Sequence, residues 1–208
     1  MSALFLRAMR TAEAARFAPL LGALIGAVGA ALYWLGAQVW PANVAVILAM
    51  TATALLSMGS SHASPLTRID LLSRVFCLLI KYNALMSLSA AKLPFALASN
   101  LALGLIMICG HAASFALAVS VLAIRPEKAA ARISNGSLSV ALLLGFAPAA
   151  LLGIPGLTGL AGAVIAGLSS IAYLRFKRAA GSSGALELIQ QLTEACFYLG
   201  ALAAWSYV

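Results

Sequence analysis

The chain has 208 residues, 63% of them hydrophobic and only 9% charged, and its mean hydropathy is +1.04. A water-soluble globule of this size needs a polar exterior, so the composition excludes a soluble domain and points to a polytopic membrane protein. The net charge of +8 fits the basic loops of such a protein, and no nucleic-acid partner is expected.

Residues 1–16 read as a basic cytoplasmic N-terminal segment carrying Arg7, Arg10 and Arg16, and residues 17–208 as a single integral membrane domain. No cleavable signal peptide is expected, because the apolar run after Phe17 is too long for a signal-peptide core. Apolar segments follow at 17–40, 43–58, 71–91, 94–124, 137–153, 156–174 and 187–207. About 20 apolar residues cross the hydrocarbon, and most of these segments suffice, with 43–58 and 137–153 short. The run 94–124 reads as one tilted span, the alternative being a span plus a re-entrant piece around Gly110 and His111. The expected fold is all-α, a transmembrane helical bundle of about seven spans.

Lysine and arginine counts set the expected orientation. With the N-terminus in the cytoplasm, the inner segments carry Arg7, Arg10, Arg16, Arg68, Arg125, Lys128, Arg132, Arg175, Lys177 and Arg178, and the outer segments carry Lys92 alone. That bias predicts a cytoplasmic N-terminus and an outer C-terminus. Gly22, Gly26 and Gly29, and later Gly159, Gly162 and Gly167, have the spacing of close helix packing in lipid. Cys77, Cys109 and Cys196 match no metal motif and read as packing residues.

Ionisable groups inside a membrane are costly and mark places that need an explanation. In the third segment Arg74 and Lys81 are seven residues apart, so both project from one helical face. Such a basic face suits a phosphate, or else a structural pairing such as Lys81 with Glu194. In the last segment Glu187, Gln190, Gln191 and Glu194 form one polar stripe, with Glu194 about two turns deeper than Glu187. His111 stands alone in the fourth segment and reads first as a hydrogen-bonded packing residue. Lys81, Glu194 and His111 are candidates to line one polar cavity, with the loops 59–70, 125–136 and 175–186 at its mouth. In the last of these, Arg175 and Lys177 precede a small-residue helix start, a plausible phosphate site. The polar connector GSSHASPLTRID adds His62, Arg68 and Asp70, the only Asp of the chain.

Taken in order, several segments resemble the cobalamin synthase family, also called adenosylcobinamide-GDP ribazoletransferase. These are FAPLLGALIGAVGAAL, ALLSMGSSH, LTRIDLLSRVFCLLIKY, CGHAASFALAVSVLAIRPE and LRFKRAAGSSGALELIQQLTEACFYL. The resemblance implies an inner-membrane, Mg²⁺-dependent phosphotransferase that joins the lower nucleotide loop of cobalamin. It would transfer cobinamide phosphate from a GDP-activated corrinoid nucleotide to α-ribazole or its 5′-phosphate and release GMP. Arg68, Lys81, Arg125 and Glu194 carry over from the family pattern. The family's Asp-rich loop between the second and third spans does not, since GSSHASPLTRID is shorter and lacks its aspartates. The family's Thr-Gly-Asp is here Ser182-Ser183-Gly184, and His111 stands where the family has an Arg.

Phosphoryl transfer needs the diphosphate charge neutralised, usually by Mg²⁺ on two or more carboxylates. Only Glu13, Asp70, Glu127, Glu187 and Glu194 are available. The assignments that follow are Asp70 and Glu194 as catalytic acids and Asp70 with Glu187 as the metal pair. Arg68, Lys81, Arg125, Arg175 and Lys177 are the phosphate ligands, with His62 and His111 as further site residues. Two other readings compete: an accessory or scaffold subunit that has lost the site and binds a membrane protein partner or a second copy, and a small transporter or channel subunit using Lys81 and Glu194.

Overall fold

The structure, a computed structural model, describes residues 15–57, 68–90, 99–124, 133–177 and 183–205. They form seven α-helices: α1 (Ala18–Val39), α2 (Ala42–Ser57), α3 (Arg68–Ala90), α4 (Ser99–Ile124), α5 (Asn135–Leu151), α6 (Ile154–Lys177) and α7 (Ser183–Trp205). Within the fourth apolar run, Ser99–Ile124 is one continuous helix with no re-entrant break at Gly110 or His111, and 94–98 lie outside the described residues.

Local chemistry sets the turns. Trp40 closes α1 by donating its N–H to the Gly36 carbonyl, and Pro41 stands just before α2, where its missing N–H costs nothing. Ser134 caps α5 by accepting the Ser137 N–H at 3.1 Å. Between α5 and α6 the chain reverses through Gly153 at φ 70°, a left-handed conformation natural to glycine after a helix end.

Four helical stretches are long and apolar enough to cross a membrane: Ala18–Val39, Leu71–Ala90, Asn100–Ile124 and Ile154–Tyr173. Helices α2 and α5 are apolar but shorter, at 16 and 17 residues. Helix α7 has 23 residues, and its polar stripe faces protein: Gln190, Gln191, Thr193 and Glu194 are all buried. The architecture is a helical membrane bundle.

Helix α4 is the centre, buried on most of its surface and touching α1, α3, α5, α6 and α7. Glycine makes the closest approach possible. A Cβ on Gly26 would lie 2.7 Å from the Ile108 Cα, and one on Gly22 would lie 2.6 Å from the His111 carbonyl oxygen. Any larger residue would push α1 off α4. Gly162 plays the same part for α6, directly against the Cys196 carbonyl of α7.

These contacts also fix helix directions. Along α1, Gly22, Gly26 and Tyr33 meet His111, Ile108 and Asn100 in turn, so α1 and α4 are antiparallel. On α7, Tyr198 lies against Gly110 and Ile189 clusters with Val121, so α4 and α7 are antiparallel as well. Between α3 and α7, Arg74 pairs with Glu187 and Lys81 with Glu194, so these two helices run parallel. Successive helices thus alternate in direction, as membrane crossings must.

One end of the bundle therefore gathers the start of α1, the end of α2, the starts of α3, α5 and α7, and the ends of α4 and α6. Small clusters there, around Ala18, Leu56, Val119 and Leu138 and around Val121, Ile171 and Ile189, hold those ends together.

Candidate functional site: an ion ladder and a basic end

Helix α3 turns one stripe inward: Arg74, Cys77, Lys81, Ala84, Leu85 and Leu88. That stripe follows a heptad, which keeps a seam facing one neighbour. Helix α7 answers with Glu187, Gln191 and Glu194. At the first rung both guanidinium amines of Arg74 donate to the two oxygens of Glu187, at 3.0 and 2.9 Å. This is the forked geometry that suits Arg to a carboxylate. Two turns along, the second rung is more deeply buried. The Lys81 ammonium lies 2.8 Å from Glu194 Oε2 and donates to Gln191 Oε1 at 2.7 Å. The approach to Oε2 is an ion pair rather than an aligned hydrogen bond.

The other oxygen of Glu194 faces α4. Tyr198, one turn further along α7, donates its hydroxyl to Glu194 Oε1 at 3.0 Å. His111 Nδ1 lies 3.1 Å from the Met107 carbonyl, 3.2 Å from the Tyr198 hydroxyl and 3.4 Å from Glu194 Oε1. A carbonyl can only accept, so these neighbours assign the Nδ1 proton to His111, and the Tyr198 oxygen accepts from it while donating onward to Glu194. Glu194 thus has a cation on one oxygen and a hydroxyl donor with an imidazole on the other. This satisfies a buried carboxylate that would otherwise be very costly.

The structure brings together Lys81, Glu194 and His111, which touch one another through Tyr198 and the ion pair. Glu187 stands apart at the first rung, with both oxygens engaged by Arg74. Arg68 and Asp70 form the first turn of α3, and Arg175 and Lys177 the last turn of α6; both turns lie at the basic end. Their side chains, with His62 and Arg125, lie outside the described residues. Arg16, at the same end, sits over the Phe17 ring with 4.7 Å to its centroid. Among the described residues no group of three or more His, Cys, Asp or Glu side chains could hold a metal ion.

Two participants escaped the sequence reading. Arg74 stood out only as a companion of Lys81, yet it is the partner of Glu187. Tyr198 looked like one aromatic among apolar neighbours; its position one turn after Glu194 was the signal available.

The fold and these residues define a multi-pass membrane protein whose intramembrane charges are paired across one helix seam and whose basic helix ends collect at one pole. The family pattern described as cobalamin-5-phosphate synthase matches residues 3–63. The chain is also 36% identical over 136 residues to an adenosylcobinamide-GDP ribazoletransferase of Ralstonia nicotianae, covering 53% of this chain and 50% of the relative. A ribazoletransferase of Leptothrix cholodnii is 56% identical over 45 residues, covering 22% of this chain and 17% of the relative. Over part of its length the chain is thus similar to cobalamin synthases, and it spans about half the length of the Ralstonia relative. No solved structure matches the chain.

Proposed function

We propose that the protein is a membrane-embedded ribazoletransferase-type phosphotransferase, taking a GDP-activated corrinoid and α-ribazole as substrates at its basic pole. The observation that supports this most is the convergence of family likeness with geometry. The family-like segments at the start of α3 and the end of α6 bring Arg68, Arg175 and Lys177 to one end of the bundle. A diphosphate needs that charge, because transfer is governed by neutralising the phosphate oxygens and positioning the reactants. In this reading the basic pole faces the cytoplasm of a bacterial inner membrane.

The ladder gives α3 and α7 a fixed register, so the ends that meet the substrate are held by pairs two turns apart. Lys81 and Glu194 then serve positioning rather than phosphate contact or proton transfer. Mg²⁺ would supply charge neutralisation at the diphosphate. Glu187 and Glu194 do not fit it, since each is already neutralised by a cation of α3. Asp70, in the first turn of α3, is the candidate ligand we assign to it. Incubating the purified protein in liposomes with Mg²⁺, the GDP-activated corrinoid and α-ribazole tests the reading. GMP release supports it, and its absence from folded protein overturns it.

One observation favours a second reading, an accessory subunit without catalysis. Both carboxylates of α7 are engaged inside the fold, and the connector before α3 lacks the acids a metal needs. A folded chain that releases no GMP and co-purifies with a stable membrane partner would establish this reading instead.

A further inference from the structure

Helix α3 has two unlike faces. Its inward stripe carries the ion ladder. The opposite stripe carries Leu72, Phe76, Leu79, Asn83, Ser87 and Ala90, all exposed in the single chain. Asn83 is two residues after Lys81, so it lies about 200° around the helix, nearly opposite the ladder. It also lies within the apolar stretch Leu71–Ala90, seven residues before its end, or about 10 Å inside. A primary amide facing lipid at that depth is unusual, because polar side chains in spanning helices turn toward protein.

Asn83 donates to the Leu79 carbonyl one turn back, at 2.8 Å. That bond uses one of its two N–H groups. Among the described residues its Oδ1 has no hydrogen-bond donor. An amide is both donor and acceptor, so its best complement is another amide in the opposite sense. Around it the stripe narrows: Ser87 and Ala90 follow, small residues that allow two helices to approach. Phe76 and Leu79 on the other side are large and exposed, supplying apolar contact.

We propose that the protein forms a two-fold homodimer through this outward face of α3, with the Asn83 amides of two copies hydrogen-bonded to each other near the axis. A two-fold axis makes a surface meet itself, so a self-complementary group at its centre commits the face to a second copy.

The test uses the full chain in liposomes, with association followed by energy transfer between labelled copies on lipid dilution. The wild type should associate. Asn83→Leu should weaken association roughly three- to tenfold, from the loss of two interhelical hydrogen bonds. Asn83→Gln, which keeps the amide, should retain most of it. A second measurement guards against misfolding. In a background without Cys77, Cys109 and Cys196, an oxidant should cross-link copies carrying Phe76→Cys or Ser87→Cys, and should leave copies carrying Leu143→Cys, on the exposed face of α5, uncross-linked. A wild type that is monomeric at every dilution, an Asn83→Leu variant that associates as well as wild type, or equal cross-linking at position 143 would each overturn the proposal.

Discussion

Glu194 shows how a charge can persist inside an apolar bundle. Lys81 neutralises it from α3, Tyr198 donates to it from its own helix, and His111 closes the set from α4. Removing one partner leaves a buried charge alone. Lys81→Met should therefore destabilise the protein by about 3–5 kcal/mol, seen as a lower midpoint of thermal unfolding in detergent. Lys81→Met combined with Glu194→Met should recover most of that loss, because an apolar pair has no charge to desolvate. Tyr198→Phe removes the hydroxyl that accepts from His111 and donates to Glu194, and should cost about 1–3 kcal/mol. The sequence showed which side of each helix these groups share. It did not show what they face, because a seven-residue spacing is a property of one helix and a partner belongs to another. Lys81 was thus open between a phosphate and a carboxylate until α3 and α7 were seen side by side.

Between elements, two kinds of contact hold the bundle: glycine-mediated approach and the ladder. Gly26→Leu should separate α1 from α4, since even its first side-chain carbon would meet the Ile108 backbone. Proteolysis in detergent should then cut this variant faster than wild type. The Arg74–Glu187 rung is nearer the surface, with side chains 13% and 11% exposed. Arg74→Glu should weaken the α3–α7 seam and Glu187→Arg added to it should restore it, with thermal midpoints as the readout. Much of the element level was legible. Runs of apolar residues gave all seven helices, and the glycine spacings marked α1 and α6 as closely packed without showing that α4 and α7 are their neighbours. The status of α7 as a core helix was harder to see, because its Glu and Gln residues lower its hydropathy while their burial depends on neighbours. Gln190 was grouped with Gln191 on one stripe, yet only Gln191 bonds Lys81; the Gln190 amide nitrogen is buried with no partner among the described residues.

At the scale of the molecule, alternating helix directions turn a list of basic residues into a basic pole. The arginine count predicted that asymmetry, and the packing of α1, α4, α6 and α7 gathers the helix ends that carry it. Orientation follows from labelling intact cells with a membrane-impermeant maleimide, with cysteine introduced in the cysteine-free background. Gln38→Cys, exposed at the far end of α1, should be labelled from outside, and Ser134→Cys, exposed at the basic pole, should be protected until the membrane is opened. The chemistry of the pole was less legible, since the acids that would mark a metal site are few and two are engaged in the ladder. The most direct test compares GMP release by the wild type and by Arg175→Ala/Lys177→Ala in the same liposomes, with thermal unfolding measured alongside. Release by the wild type is expected, with a loss of about tenfold or more in the variant at unchanged stability, if these cations neutralise the diphosphate as proposed. No GMP from folded wild type, or equal rates from the two proteins, would contradict it.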